Sequence, residues 1–430
     1  MRWMPTDARP IAQARPCEDC QGVAPHRVTE SAPYTEDPML LEQPLGHEPV
    51  AGPGWFHGGY PEVPLWSETS SPLGCWLEGP DRFWIRGEYL MWWTEGSSYP
   101  PLVTTSELGT SVADSGILGL DSTSILFGGG DVNTDMHSGG RLTLGWWLMP
   151  CELAVEANYL GIGRETTELS GNAAEHWILA RPYFDLATNT DAAMLIAHPE
   201  LLDGSITAEA STELQGAEVL VRRIFLNNGC QQAGFLVGYR FARLDERLEI
   251  GHQSEWDEAQ GQIAAGTTRE VFDLFDTQSR FHGAEAGFLY LEQRGRWSLE
   301  LLAKLALGSS RSEVTIDGET VTTTPGGGST ASVGGLLAQQ TNVGHYGQDD
   351  FAIIPELGVT LSYMLTPRLH ASFGYTFLYW SKVARPGDQI DLDVSQLPPD
   401  GPTGARRPEF TFLTTDFWAQ GLNFGLEYRF

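Results

Sequence analysis

Three groups of residues in this sequence are of types that could do chemistry: five cysteines, short clusters of aspartates, and charged side chains set inside otherwise apolar stretches. The cysteines, at 17, 20, 75, 151 and 230, are too few and too scattered for a disulfide scaffold. Cys17 and Cys20 form one C-x-x-C, without the second pair or the histidines that a zinc site needs. Cys17 follows Ala14-Arg15-Pro16, which is not the small, apolar context of an acylated cysteine. Cys151 and Cys230 fall in two predicted turns separated by one hairpin. A disulfide between them, or from either to Cys75, is compatible with an oxidising compartment, but free thiols are the expected state. The run Asp131-Val132-Asn133-Thr134-Asp135 starts like a calcium loop, yet Met136 stands where the loop needs Gly and Leu142 where it needs the bidentate Glu. Asp388, Asp391 and Asp393 have oxygen ligands but no diagnostic spacing, so a solvated loop is expected. No metal and no cofactor are therefore expected. G-x-S-x-G, H-E-x-x-H, the P-loop and G-x-G-x-x-G are all absent, and the chain reads as a non-enzyme. A motif search is blind to catalytic groups assembled from separate strand ends.

The charged residues make sense only through the elements that carry them. The chain has 430 residues with 26 Lys+Arg against 56 Asp+Glu, a formal charge of −30, which leaves no clustered cations for nucleic acid. Aromatics at 11%, with 14 Trp, and charged residues at only 19% place it outside the disordered acidic class. No run of 18 or more apolar residues occurs, which excludes an ordinary transmembrane helix but not a β-barrel, whose apolar face occupies alternate positions. Thirteen of the 26 prolines precede Phe83, so residues 1–82 read as a Pro-rich, largely unstructured arm and 83–430 as the folded unit. Met1 to Cys20 lacks the apolar stretch of roughly 7–15 residues that an export signal needs, so either the true start is missing or export is signalled otherwise.

Beyond Phe83, ten segments fit a period of two: about 83–93, 139–149, 152–163, 212–226, 231–253, 271–292, 297–317, 351–365, 368–382 and 416–430. Short turns alternate with long loops at 94–138, 164–211, 254–270, 318–350 and 383–415. That pattern predicts an all-β fold, a transmembrane antiparallel up-and-down β-barrel of about ten strands with short periplasmic turns and long extracellular loops. Twelve strands is the alternative, should a loop hide a hairpin, for instance around Ser124–Gly128. In the last segment Trp418, Leu422, Phe424, Leu426, Tyr428 and Phe430 alternate with small or polar residues. A sandwich strand would read alike for this segment taken alone.

A cation on the lipid face near the midplane costs about 2–4 kcal/mol, so charges deep within strands belong inside. This assigns Arg86, Glu88, Arg141, Glu156, Glu218, Arg222, Arg240, Glu285, Glu300, Lys304, Glu356, Glu427 and Arg429 to the lumen. Seven are acidic and six basic, a balance that predicts pairing across a narrow interior, as filling or as the lining of a conductive path. Arg223 and Arg243 break the parity and should lie beyond the apolar band.

Several stretches resemble the beta-barrel porin-7 family of bacterial outer-membrane proteins: Gly116-Ile117-Leu118-Gly119, SGGRLTLGWW from Ser138, LARPYFD from Leu179, LLAKLALG from Leu301, FAIIPELG from Phe351, FLYWSKVARPGDQIDL from Phe377 and FWAQGLNFGLEYRF from Phe417. The resemblance covers 83–430 and implies a barrel of the cell outer membrane, in contact with outer-membrane lipid, with no catalytic residues to carry over. Trp418, Phe424, Tyr428 and the terminal Phe430 look like the signal read by barrel-assembly machinery. Two functions remain open at this point: a narrow passive channel for small solutes, and a non-conducting structural or surface-interaction barrel. The long loops hold 26 acids and 6 bases while the strands and short turns are nearly neutral, so small solutes or divalent cations are expected partners at the loops and nucleic acid is not.

Overall fold

The computed structural model describes residues 82–150, 152–261, 263–398 and 404–430. The expected N-terminal arm lies outside them except for its last residue, as do Cys17, Cys20, Cys75 and Cys151. Ten strands form the body: β1 (Phe83–Thr94), β2 (Met136–Met149), β3 (Leu153–Asn172), β4 (Leu202–Asn227), β5 (Gln231–Trp256), β6 (Thr268–Arg294), β7 (Trp297–Thr324), β8 (Gly344–Met364), β9 (Leu369–Val383) and β10 (Thr415–Arg429). Each pairs antiparallel with its sequence neighbours, and β1 pairs with β10, Trp84 opposite Arg429 through Thr94 opposite Ala419. Reciprocal backbone hydrogen bonds of 3.0 Å between Phe83 and Phe430 complete the seam. Closure leaves no edge strand in the ring, which is the condition for a β-structure to sit in hydrocarbon.

The short turns are built for reversal. Asn228 Oδ1 accepts the backbone N–H groups of Cys230 and Gln231 at 3.2 and 2.8 Å. Between β6 and β7, Gly295 takes a φ of 60°, a conformation that costs side-chain-bearing residues energy. Cys230 is disulfide-bonded, which overturns the expectation of free thiols at this position. Sequence spacing placed it in a turn but could not supply the approach of a second sulfur.

Side-chain parity follows the pleat. Leu301, Leu305, Leu307, Leu357, Val359, Phe373, Tyr375, Phe424 and Tyr428 point outward and are exposed, while their neighbours along each strand face inward; most of these are buried or half-buried. Phe83, Trp146, Phe430 and Tyr428 stack along one rim, the girdle expected where a lipid-facing band meets water.

Two expectations need correction. Strands β3, β4, β7 and β8 run far into the stretches read as loops; β7 alone has 28 residues, against the roughly 9–11 that a tilted strand needs to cross a bilayer. Along 202–211 the inner positions Ile206, Ala208 and Ala210 are buried, but the outer ones are Thr207 and Glu209. A search for lipid-facing alternation stops where the outer face turns polar. The second correction concerns only the twelve-strand alternative, since the ring has the expected ten strands. A hairpin does form near Ser124–Gly128, between Thr123–Phe127 and Val103–Ser106, but it joins Leu179–Asp185, Thr190–Ala197 and Asp393–Val394 in a separate sheet. Its strands are too short to cross a bilayer, and the ring stays at ten.

These loop strands form a cap packed against the inner face of the β4–β7 extensions. Its core unites Leu102, Val103, Leu179, Ile196, Leu336 and Leu337 with Ile206, Leu248, Phe275 and Val314 of the wall. Replacing outward-facing Leu305 by Arg should lower the stability of the vesicle-folded barrel by about 2–4 kcal/mol, whereas Glu319→Arg, on the outer face of the extension, should change it by less than about 0.5. Urea titration followed by heat-modifiable gel mobility distinguishes the two.

Candidate functional site

From the short-turn end, the barrel opens into a vestibule of about 160 Å³. Its wall includes Trp84, Arg86, Glu88, Arg141, Glu156, Arg222, Glu300, Glu427 and Arg429. These side chains are largely withdrawn from water, which favours a partner in the wall for each charge. Arg86, on β1, bridges Glu427 on β10 at 2.6 Å and Glu300 on β7 at 3.2 Å. Arg222 reaches Glu156 at 2.6 Å and lies over the Trp84 ring. Arg429 reaches Glu427 at 2.6 Å. Glu88 is buried, opposite Arg141 in the β1–β2 register.

The vestibule ends at a layer of buried charge. Glu218 on β4, Glu285 on β6 and Glu356 on β8 bring carboxylate oxygens within 4.8 Å of one another. Lys304 on β7 sits among them, its Nζ 2.7 Å from Glu218, 3.1 Å from Glu356 and 3.9 Å from Glu285. Arg240 on β5 contributes a second cation, 2.8 Å from Glu285 and 2.7 Å from Glu356. Arg141 reaches Glu356 from β2 at 3.4 Å. Three carboxylates so close would suit a metal ion, but the Lys304 ammonium already occupies that role. Alternate-position reading placed all thirteen charges on inner faces; which carboxylates would converge depends on strand tilt and register, which it could not supply.

Above the charge comes an apolar plug. Leu90, Trp92, Leu160, Ile162, Leu214, Leu244, Phe281, Ile354, Leu378, Trp380 and Phe417 form one buried cluster drawn from nearly every strand. Phe281 packs edge-on to Trp380, with centroids 6.2 Å apart. A Cβ on Gly283 would fall 2.5 Å from the Phe281 ring, so this glycine makes room for it. Trp92 Nε1 donates to Asn423 at 2.8 Å, and Arg141 lies over the Trp92 ring, joining plug and charge layer.

The cap closes the far end through two ion pairs invisible to a strand-by-strand reading, because one partner of each lies in a loop or cap strand. Arg385 donates to both carboxylate oxygens of Glu246, at 3.0 and 2.8 Å. Arg181 and Asp273, both fully buried, meet at 2.6 Å, and Asp273 also accepts the backbone N–H groups of Leu336, Leu337 and Ala338. In the cap, burial raises the Asp388 carboxyl above its ordinary range against the pull of Arg385. Asp391 is held by Arg407 at 2.7 Å and by the Glu409 backbone, so the aspartate cluster is tied into its own loop.

A closed ring of ten antiparallel strands with an aromatic-rimmed apolar exterior and paired charges within defines a β-barrel of the outer-membrane type. Within that class, the chain belongs to the family described as "Putative beta barrel porin-7", whose profile matches residues 84–430. Among solved structures it is similar to the outer-membrane protease OmpT from Escherichia coli (10% identity, 82% of this chain and 97% of that one, TM-score 0.38). It is also similar to a mutant of the monoaromatic hydrocarbon channel TodX (11%, 82% and 91%, TM-score 0.20) and to a Pseudomonas aeruginosa FadL homologue (8%, 82% and 90%, TM-score 0.20). At these values they bear on neither substrate nor activity. No curated protein matches the chain.

Removing Lys304 should expose the balance of the charge layer. Lys304→Met leaves three carboxylates around a neutral side chain and should cost about 3–5 kcal/mol, the usual effect of breaking a buried pair from one side. Adding Glu218→Gln should recover part of that loss. The urea midpoints of the single and double variants provide the check.

Proposed function

We propose that this chain resides in the cell outer membrane as a closed, non-conducting barrel that carries a rigid extracellular cap, with a structural or surface-interaction role. The observation that carries this reading is the stacking, along one lumen, of a charge layer, an apolar plug and a cap core. An ion crossing the plug would leave its hydration shell among Leu, Phe and Trp side chains, a cost of many kcal/mol. The interface for other envelope components is then the cap and the outer faces of the long strands. The apolar exterior supports contact with outer-membrane lipid, and the outward-facing Trp418, Phe424, Tyr428 and Phe430 support recognition by barrel-assembly machinery. The absence of local enzyme motifs supports a non-catalytic role.

A narrow passive channel is the second reading, favoured by the vestibule, which is open to one side and lined by both signs of charge. It requires the plug to move. Wild-type protein in planar bilayers should give no reproducible single-channel steps, while Trp92→Ala/Trp380→Ala, which empties the plug, should give measurable conductance. Regular steps from correctly folded wild type would reverse the order of the two readings.

A further inference from the structure

We propose that an outward-facing row of arginines grips phosphate-bearing lipid headgroups of the outer leaflet; the proposal rests on the membrane reading above. Arg243, Arg280 and Arg311 are direct cross-strand partners on β5, β6 and β7. Like charges set opposite one another destabilise a sheet, so such a row needs an anionic partner. Two residues along each strand toward the apolar band, Phe241, His282 and Ser309 stand in register as a boundary row, with Phe351, 70% exposed, beyond them on β8; the apolar band begins in the next row, with Tyr239, Ala284 and Leu307.

The protein supplies part of the counter-charge. Asp245 meets Arg243 at 2.6 Å, while Glu313 is shared between Arg280 and Arg311, each at 3.0 Å. Asp349 is farther off, 3.8 Å from Arg311. Both close carboxylates sit in the next row away from the band, where Glu213, Asp245, Gln278 and Glu313 align. Moving outward, the wall therefore reads apolar, then cationic, then anionic. The guanidinium side chains remain 41 to 56% exposed, and a planar guanidinium has five donors, more than one carboxylate can accept. A lipid whose chains lie on the Phe241–Phe351 surface would place its headgroup phosphate at the arginine row. The acidic row beyond disfavours a free anion arriving from solution.

The test uses the full chain inserted in vesicles, with insertion scored first by protease protection. Native mass spectrometry then compares retention of diphosphoryl lipid A with that of the same lipid stripped of its phosphates. Wild type should retain the phosphorylated form roughly tenfold more, and Arg243→Gln/Arg280→Gln/Arg311→Gln should abolish that preference. Arg223→Gln/Arg294→Gln, exposed at the opposite end, should keep it, and millimolar inorganic phosphate should not displace the lipid. Should the triple variant fail to fold, Arg280→Gln alone should show an intermediate preference. An inserted wild type without preference, a folded arginine variant that keeps it in full, or displacement by free phosphate overturns this proposal alone. A barrel that folds in detergent but never inserts overturns the membrane reading and the proposal with it.

Discussion

The interior is organised by one requirement: charges removed from water must be matched, and here two cations are matched by three carboxylates. Lys304 and Arg240 lie among Glu218, Glu285 and Glu356, five residues on five consecutive strands of the wall. Arg141 adds a contact from the far side of the ring. Such a cluster is poor at adding net stability but strict about geometry, since each missing partner leaves a buried charge exposed to low dielectric. It therefore selects the register of the strands that carry it, and that register sets the plug above and the vestibule below.

Much of this was legible in the sequence because a barrel wall is a two-sided object with a period of two. The alternation of Leu422, Phe424, Leu426 and Tyr428 with small or polar residues was legible in the last strand, as was the period of two over 297–317. The long extensions were not legible, because Thr207 and Glu209 on the outer face remove the lipid-facing signal while Ile206 and Ala208 keep the inner one. The closing pairs were hidden for a different reason. Glu246 and Asp273 are ordinary polar positions on their strands until Arg385 and Arg181 arrive from loop and cap segments more than 90 residues away. Convergence of that kind is a property of the folded cap and leaves no local pattern.

The same logic sorts the arginines. Arg222 points inward and is paired with Glu156, whereas Arg223, one residue on, points outward and pairs with Glu152 near the short turns. Arg243 likewise breaks the apolar face only where that face ends. Charge on the outer wall is confined to its two ends, and charge within is confined to matched layers. The overall acidity accordingly belongs to the loops, the long strand extensions and residues 1–82, while the part of the wall that carries the apolar band stays close to neutral.

Closure of the lumen is the central claim, and side-specific thiol labelling addresses it most directly. Ala306 lies within the plug and Ser298 on the vestibule wall. With oriented, folded protein, Ser298→Cys should react with a membrane-impermeant maleimide from the short-turn side only, and Ala306→Cys should react from neither side. Labelling of Ala306→Cys from both sides would mean a continuous water path through the barrel and would contradict the account.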